Sequence, residues 1–142
     1  MISERINALL RFWQMLTPES VAVLGDHYAE DAFFKDPFHE VRGLGPIREI
    51  FTKMFRQVES PKFKVTETIG DENGLVLVWE MTFRMKSVRP NEIQVIRGAS
   101  HLRFGESGKV NYHRDYWDTG EELYSKLPLI GGVARLLRRL GG

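Results

Sequence analysis

Apolar residues recur along this chain at two periods, and the change from one to the other near Pro61 divides it into a helical part and a strand-forming part. From Ser3 to Leu16, Ile6, Leu9, Leu10, Trp13 and Leu16 return every three or four positions, which predicts an amphipathic helix with Ser3 as its N-cap. Thr17-Pro18-Glu19 reads as a second start, with Thr capping, Pro at the first helical position, and Val21, Leu24 and Tyr28 on one face. These two helices form a hairpin. Beyond Gly43 and Gly45, the series Ile47, Ile50, Phe51, Met54, Phe55 and Val58 gives a third helix with a strongly apolar face, ended by Pro61.

Alternation then takes over. Lys62 to Ile69 reads as a strand, and Asp71-Glu72-Asn73-Gly74 as a hairpin turn, because Asn-Gly adopts the positive φ angles such turns need. Trp79, Met81, Phe83 and Met85 alternate with Glu80, Thr82, Arg84 and Lys86, so the next strand has an apolar face and a wet one. A long strand from Glu92 to Phe104, a tight turn at Gly105 to Gly108 and a last strand from Lys109 to Asp118 complete the pattern. The expected fold is α+β, with three N-terminal helices packed in a curved antiparallel sheet. Such a sheet leaves a cone, and a cone not filled by side chains is a ligand cavity.

The 142 residues suit one domain, 1–142, with an ordinary soluble composition of 42% hydrophobic and 27% charged residues. Twenty basic against nineteen acidic residues leave a formal charge of +1, which gives no electrostatic reason to expect nucleic acid as a partner. No cysteine is present, which excludes disulfides, thiolate metal sites and a cysteine nucleophile, and suits a cytoplasmic location. Met1-Ile2-Ser3-Glu4-Arg5-Ile6 lacks the pattern of a signal peptide, and no window reaches the length of a membrane span. Within 128–140, Arg135, Arg138 and Arg139 punctuate an apolar run that reads as a short basic amphipathic helix, a lid over the cone mouth or a contact helix, with membrane-surface binding as the alternative.

Three titratable residues are candidates for catalysis. Asp36 lies among Phe33, Phe34, Pro37 and Phe38, where burial favours a proton-accepting carboxylate; equally, an Asp before Pro caps turns. Period-two geometry puts His113, Asp115 and Trp117 on one face of the last strand, with His113 and Asp115 roughly 7 Å apart at Cα for a rise of about 3.4 Å per residue. They read as a paired acid and base, or as a hydrogen-bonded core network. His113 and Asp115 also fit two ligands of a two-His, one-carboxylate iron site completed by His39 or His101, although neither a metal nor a cofactor is expected. Trp13, Phe34, Phe55, Trp79, Met81, Phe83 and Trp117 are core residues or the walls of an apolar pocket.

The phrase Tyr28-Ala-Glu-Asp31-Ala-Phe-Phe-Lys-Asp36-Pro37, then Arg42-Gly43 with Ile47-Arg48, then Ser100-His-Leu-Arg-Phe104 with Gly108-Lys-Val110, resembles the ketosteroid isomerase and SnoaL-like branch of the nuclear transport factor 2 superfamily. The resemblance, from about Phe12 to Trp117, implies the cone-shaped cystatin-like fold and a homodimer formed through the sheet. It places the isomerase base on Asp36, the oxyanion-hole tyrosine on Phe12 and the second acid on Ser100. Phe12 has no donor and the Ser100 hydroxyl is a weak one, and loss of one such donor costs on the order of 3 kcal/mol, so efficient steroid isomerisation is not expected. Arg114-Asp115-Tyr116-Trp117-Asp118 is similar to the end strand of limonene epoxide hydrolase, which places a water-activating Asp on Asp115, but no Arg-x-Asp pair stands between Trp79 and Thr82 to complete that site. The parity of the resemblance turns His113, Asp115, Trp117, Trp79, Met81 and Phe83 inward. Together these expectations describe a protein for a small apolar molecule, an isomerase, cyclase or hydrolase using Asp36 with His113 and Asp115. The alternative is a binding or protein-interaction module without chemistry.

Overall fold

The structure is a computed structural model and describes residues 3–124. Helix α1 (Glu4–Gln14) begins at Ser3, whose Oγ accepts the Ile6 N–H at 3.2 Å, and it buries Ile6, Leu9, Phe12 and Trp13. Thr17 and Ser20 then exchange bonds between their side chains and each other's backbone N–H. They lead into a short 3-10 stretch, Ser20–Asp26, burying only Val21 and Leu24.

Tyr28, expected on a helix, instead opens strand β1 (Tyr28–Lys35). Its pairing with the last strand slips between Tyr28 and Phe33, and this irregularity breaks the alternation that would have revealed a strand. The expected three N-terminal helices are therefore corrected to α1, the 3-10 stretch and α2 (Leu44–Gln57), with a single π-type turn at Gly120–Tyr124. Strand β2 (Glu40–Arg42) folds back on β1 through the turn at Asp36.

The remaining strands are β3 (Val58–Asp71), β4 (Gly74–Met85), β5 (Gln94–Phe104) and β6 (Val110–Tyr116), and the sheet order is β2-β1-β6-β5-β4-β3. All neighbours are antiparallel except β1 and β6, which run parallel, so the wholly antiparallel sheet expected from sequence is corrected to a mixed one. Parallel neighbours need a long crossover, and here β2, α2 and the β3–β5 meander provide it. Pro61 lies inside β3, not between elements. It is tolerated because β3 is an edge strand with a bulge there, marked by Ser60 at φ +51° and a register shift between Glu59 and Lys62. Further along this edge the Val65 N–H donates to Oε1 of Gln14 at 2.9 Å.

On the inner face, Leu77 stands opposite Ser100, Trp79 opposite Gly98, and Ser100 opposite Asp115. Helices α1 and α2 cover this face, with Trp13 and Phe51 in contact above it. Fully buried side chains such as Ile47, Leu75 and Leu102 each contribute about 1.5–3 kcal/mol relative to exposure. Beyond the end of β6, the N–H of Arg97 finds Oε1 of the buried Glu122 at 3.2 Å, and the same oxygen takes the Arg97 Nε–H at 2.8 Å. The segment 128–140 lies outside the described residues. No helix among the described residues is long and apolar enough to cross a membrane.

Candidate functional site

Six side chains from four strands and one helix form a continuous hydrogen-bonded chain across the inner face. The Trp13 indole N–H meets the Tyr28 hydroxyl at 3.2 Å, and that hydroxyl meets Nδ1 of His113 at 2.5 Å. Nε2 of His113 lies 2.6 Å from Oδ1 of Asp115. The Ser100 Oγ reaches the same Oδ1 at 2.5 Å, and the Trp79 indole N–H closes the chain on Ser100 at 2.8 Å.

With Asp115 ionised and His113 neutral, the inventory of donors gives every bond a direction. An indole nitrogen only donates, and an ionised carboxylate only accepts. Tyr28 therefore accepts from Trp13 and gives its own proton to Nδ1 of His113, whose single proton sits on Nε2 and points at Asp115. From the other side Ser100 accepts from Trp79 and donates to Asp115. Both arms end on Oδ1, and Oδ2 receives no hydrogen bond from the described residues. Burial pushes the Tyr28 phenol well above its ordinary pKa of 10.0; the Trp13 bond opposes this and the Asp115 charge adds to it.

Asp115 sits between two spaces. Inside is a cavity of about 40 Å³ with apolar walls from Trp13, Phe51, Phe63 and Leu77. Trp79, Ser100, His113 and Asp115 line its polar side. That volume admits two or three waters or a methyl-sized group, since one water needs roughly 10–15 Å³, and it excludes a steroid ring. Outside is an open groove of about 530 Å³ between Asp36, Pro37, Trp117 and Asp118, with Lys35 and Arg114 beside it.

The sequence-derived candidates divide accordingly. His113, Asp115, Ser100 and Trp79 come together. Asp36 does not join them: its Oδ1 accepts the N–H groups of Phe38 and His39 at 2.8 and 2.7 Å, and both oxygens meet Nδ1 of His39. It caps its own turn and lines the outer groove. Trp117 also lines that groove and packs edge-on against Phe38. Phe12 packs on Trp13 and His27, Phe34 on Phe51 and His113, and Phe83 is core; Met81 is partly buried against the same core. The iron-site pattern has no geometric counterpart. His39 is engaged with Asp36, His101 packs on Tyr112, and no three His, Asp or Glu among the described residues gather to hold a metal ion. Tyr28 is the member of the network that sequence reasoning misplaced. The even positions Tyr28, Ala32 and Phe34 carry a faint period-two signal, which Glu30 interrupts.

Comparison with known proteins agrees with this architecture. Residues 9–113 match the family model of the SnoaL-like domain. A ketosteroid isomerase-like protein from Catenulispora acidiphila, solved with trimethylamine, superimposes with a TM-score of 0.72 at 17% identity, covering 90% of this chain and 96% of its own. A nuclear transport factor 2-like protein of unknown function from Burkholderia pseudomallei gives 0.73 at 12% identity over 91% and 100% of the two chains. An LEH-like epoxide hydrolase from M. tuberculosis gives 0.66 at 16% identity over 94% and 92%. At these identities the structures share the fold alone. No curated relative matches the sequence. With three quarters of its length matched by one family model, the chain belongs to the SnoaL-like domain family.

Proposed function

We propose that this protein is a small-molecule enzyme in which Asp115 is the proton acceptor. The observation that carries the reading is the asymmetry of its carboxylate. Oδ1 is held by His113 and Ser100, while Oδ2 receives no hydrogen bond from the described residues, and Asp115 lines both the inner cavity and the outer groove. A base held through one oxygen keeps the other aimed without reorganisation when the proton moves. The inner cavity is too small for the body of a substrate, so the substrate lies in the groove and offers Asp115 either its own acidic C–H or a water polarised between them. His113, read from sequence as an acid or base, has both nitrogens engaged and serves to hold Asp115. Asp36, read as the base, shapes the groove mouth with His39.

The test is turnover across a panel of small carbonyl compounds and epoxides. Asp115→Asn keeps the shape and removes the proton acceptor, and it is expected to lower turnover by roughly 10²–10⁴-fold. Asp36→Asn is expected to leave most of it. If Asp115→Asn turns over like the parent, Asp115 is not the base. If ligands raise the melting temperature of both proteins but neither turns over, the binding-module reading takes its place.

For assembly we infer a homodimer through the outer sheet face. Phe33 stacks on Tyr112 there, Arg42 and Arg103 cover those rings, and Arg114 covers the half-exposed Tyr116. Tyrosine and arginine are the residues that interface centres favour.

A further inference from the structure

We propose that Tyr28 is a positioning residue for Asp115, acting through His113, and that Trp13 and the pair Trp79 and Gly98 fix the two arms that meet on the carboxylate. The proposal rests on the reading of Asp115 as proton acceptor and says how that carboxylate is kept in place.

Tyr28 has no exposed surface, and its hydroxyl has two neighbours, the Trp13 N–H and Nδ1 of His113. Were the His113 proton on Nδ1, the phenol oxygen would face two donors and its own proton would have no acceptor. At the far side of the ring, Nε2 and the Asp115 carboxylate would face each other as two lone pairs 2.6 Å apart. Both ends of the imidazole thus select the same tautomer, and an unmade bond at either buried end is costly. Trp13 makes the selection one-directional, because its indole occupies the phenol oxygen as an acceptor and turns the O–H toward His113.

The second arm depends on a glycine. Trp79 and Gly98 are cross-strand partners, and the indole lies over Gly98 so closely that a Cβ there would meet Cη2 and Cζ2 of the ring at 2.8 Å. Only with no side chain at 98 does the indole lie flat enough to put its N–H on Ser100, two residues along the same strand. Ser100, with its oxygen occupied, directs its proton to Asp115.

The ring nitrogens of His113 report the first arm by ¹⁵N NMR, assigned by the signals lost in His113→Asn. The parent is expected to carry one proton on Nε2, with Nδ1 shifted upfield of a free pyridine-type nitrogen by the phenol. In Tyr28→Phe, Nδ1 is expected to move downfield toward the free position while Nε2 keeps its proton. Trp13→Phe is expected to move it less, as the phenol is freed to turn. A proton on Nδ1 in the parent, or an Nδ1 signal indifferent to Tyr28→Phe, overturns the proposal. Should Tyr28→Phe not fold, the parent spectrum and Trp13→Phe decide it. For the second arm, Gly98→Ala and Trp79→Phe are expected to cause the same change in the Ser100 and Asp115 signals; a silent Gly98→Ala overturns that part. These spectra need no turnover, so they can fail while Asp115→Asn still abolishes activity, and the reverse. With a substrate in hand, Tyr28→Phe is expected to lower kcat by about 10–100-fold at little change in KM, the scale of residues that orient a reacting ligand.

Discussion

At the scale of single residues, Tyr28 joins chemistry to stability. Its phenol is neutral and buried, with a pKa raised by that burial. Below pH 10 both folded and unfolded chains keep the proton. Above it the unfolded chain loses the proton while the folded chain holds it, so stability falls as pH rises past about 10, by at most ~1.4 kcal/mol per pH unit. Melting curves between pH 8 and 11 should show a steeper alkaline decline for the parent than for Tyr28→Phe; parallel declines would mean that another group is responsible. Asp36 shows what decides between two local readings. Its turn donors, at Phe38 and His39, are two and three residues away and always within reach, whereas a role in the cone requires distant partners. His113 and Asp115 were legible as a pair because a strand puts positions two apart on one face whatever surrounds it. Tyr28, 85 residues from His113, carried no comparable signal.

At the scale of elements, periodicity was most reliable where packing is one-sided. The faces of α1 and α2 and the alternation in β4 follow from a single buried side, and the structure keeps all three. Bulged elements were the hard ones: β1 loses its alternation at an irregularity, and β3 contains the proline that reads as a boundary. The Gly120–Tyr124 turn supplies a further element-level device, since Glu122 caps the Arg97 N–H beyond the end of β6. Glu122→Ala leaves that N–H without the carboxylate and should lower the melting temperature by roughly 3 °C, whereas Arg97→Ala, which removes an exposed guanidinium, should lower it less. Equal losses in differential scanning calorimetry would mean that the ion pair, and not the backbone cap, matters.

At the scale of the whole molecule, the sheet has two unlike faces. The inner one is covered by α1 and α2, and the outer one presents arginine-covered aromatics on β1 and β6. Sedimentation at micromolar protein is expected to give a dimer that Tyr112→Asp converts to monomer; a monomeric parent would dismiss the interface. The sequence by itself determined α1, α2 and the meander that follows them, the apolar faces of α1, α2 and β4, and the placement of His113 beside Asp115, because these depend on spacing within one element. Only the tertiary structure decided that β1 runs parallel beside β6, that Trp13 and Tyr28 reach His113, that Asp36 stays in its turn, and that the described residues enclose a cavity of about 40 Å³ beside Asp115. Those outcomes depend on how side chains from remote segments share one volume, and no periodicity along the chain records that competition.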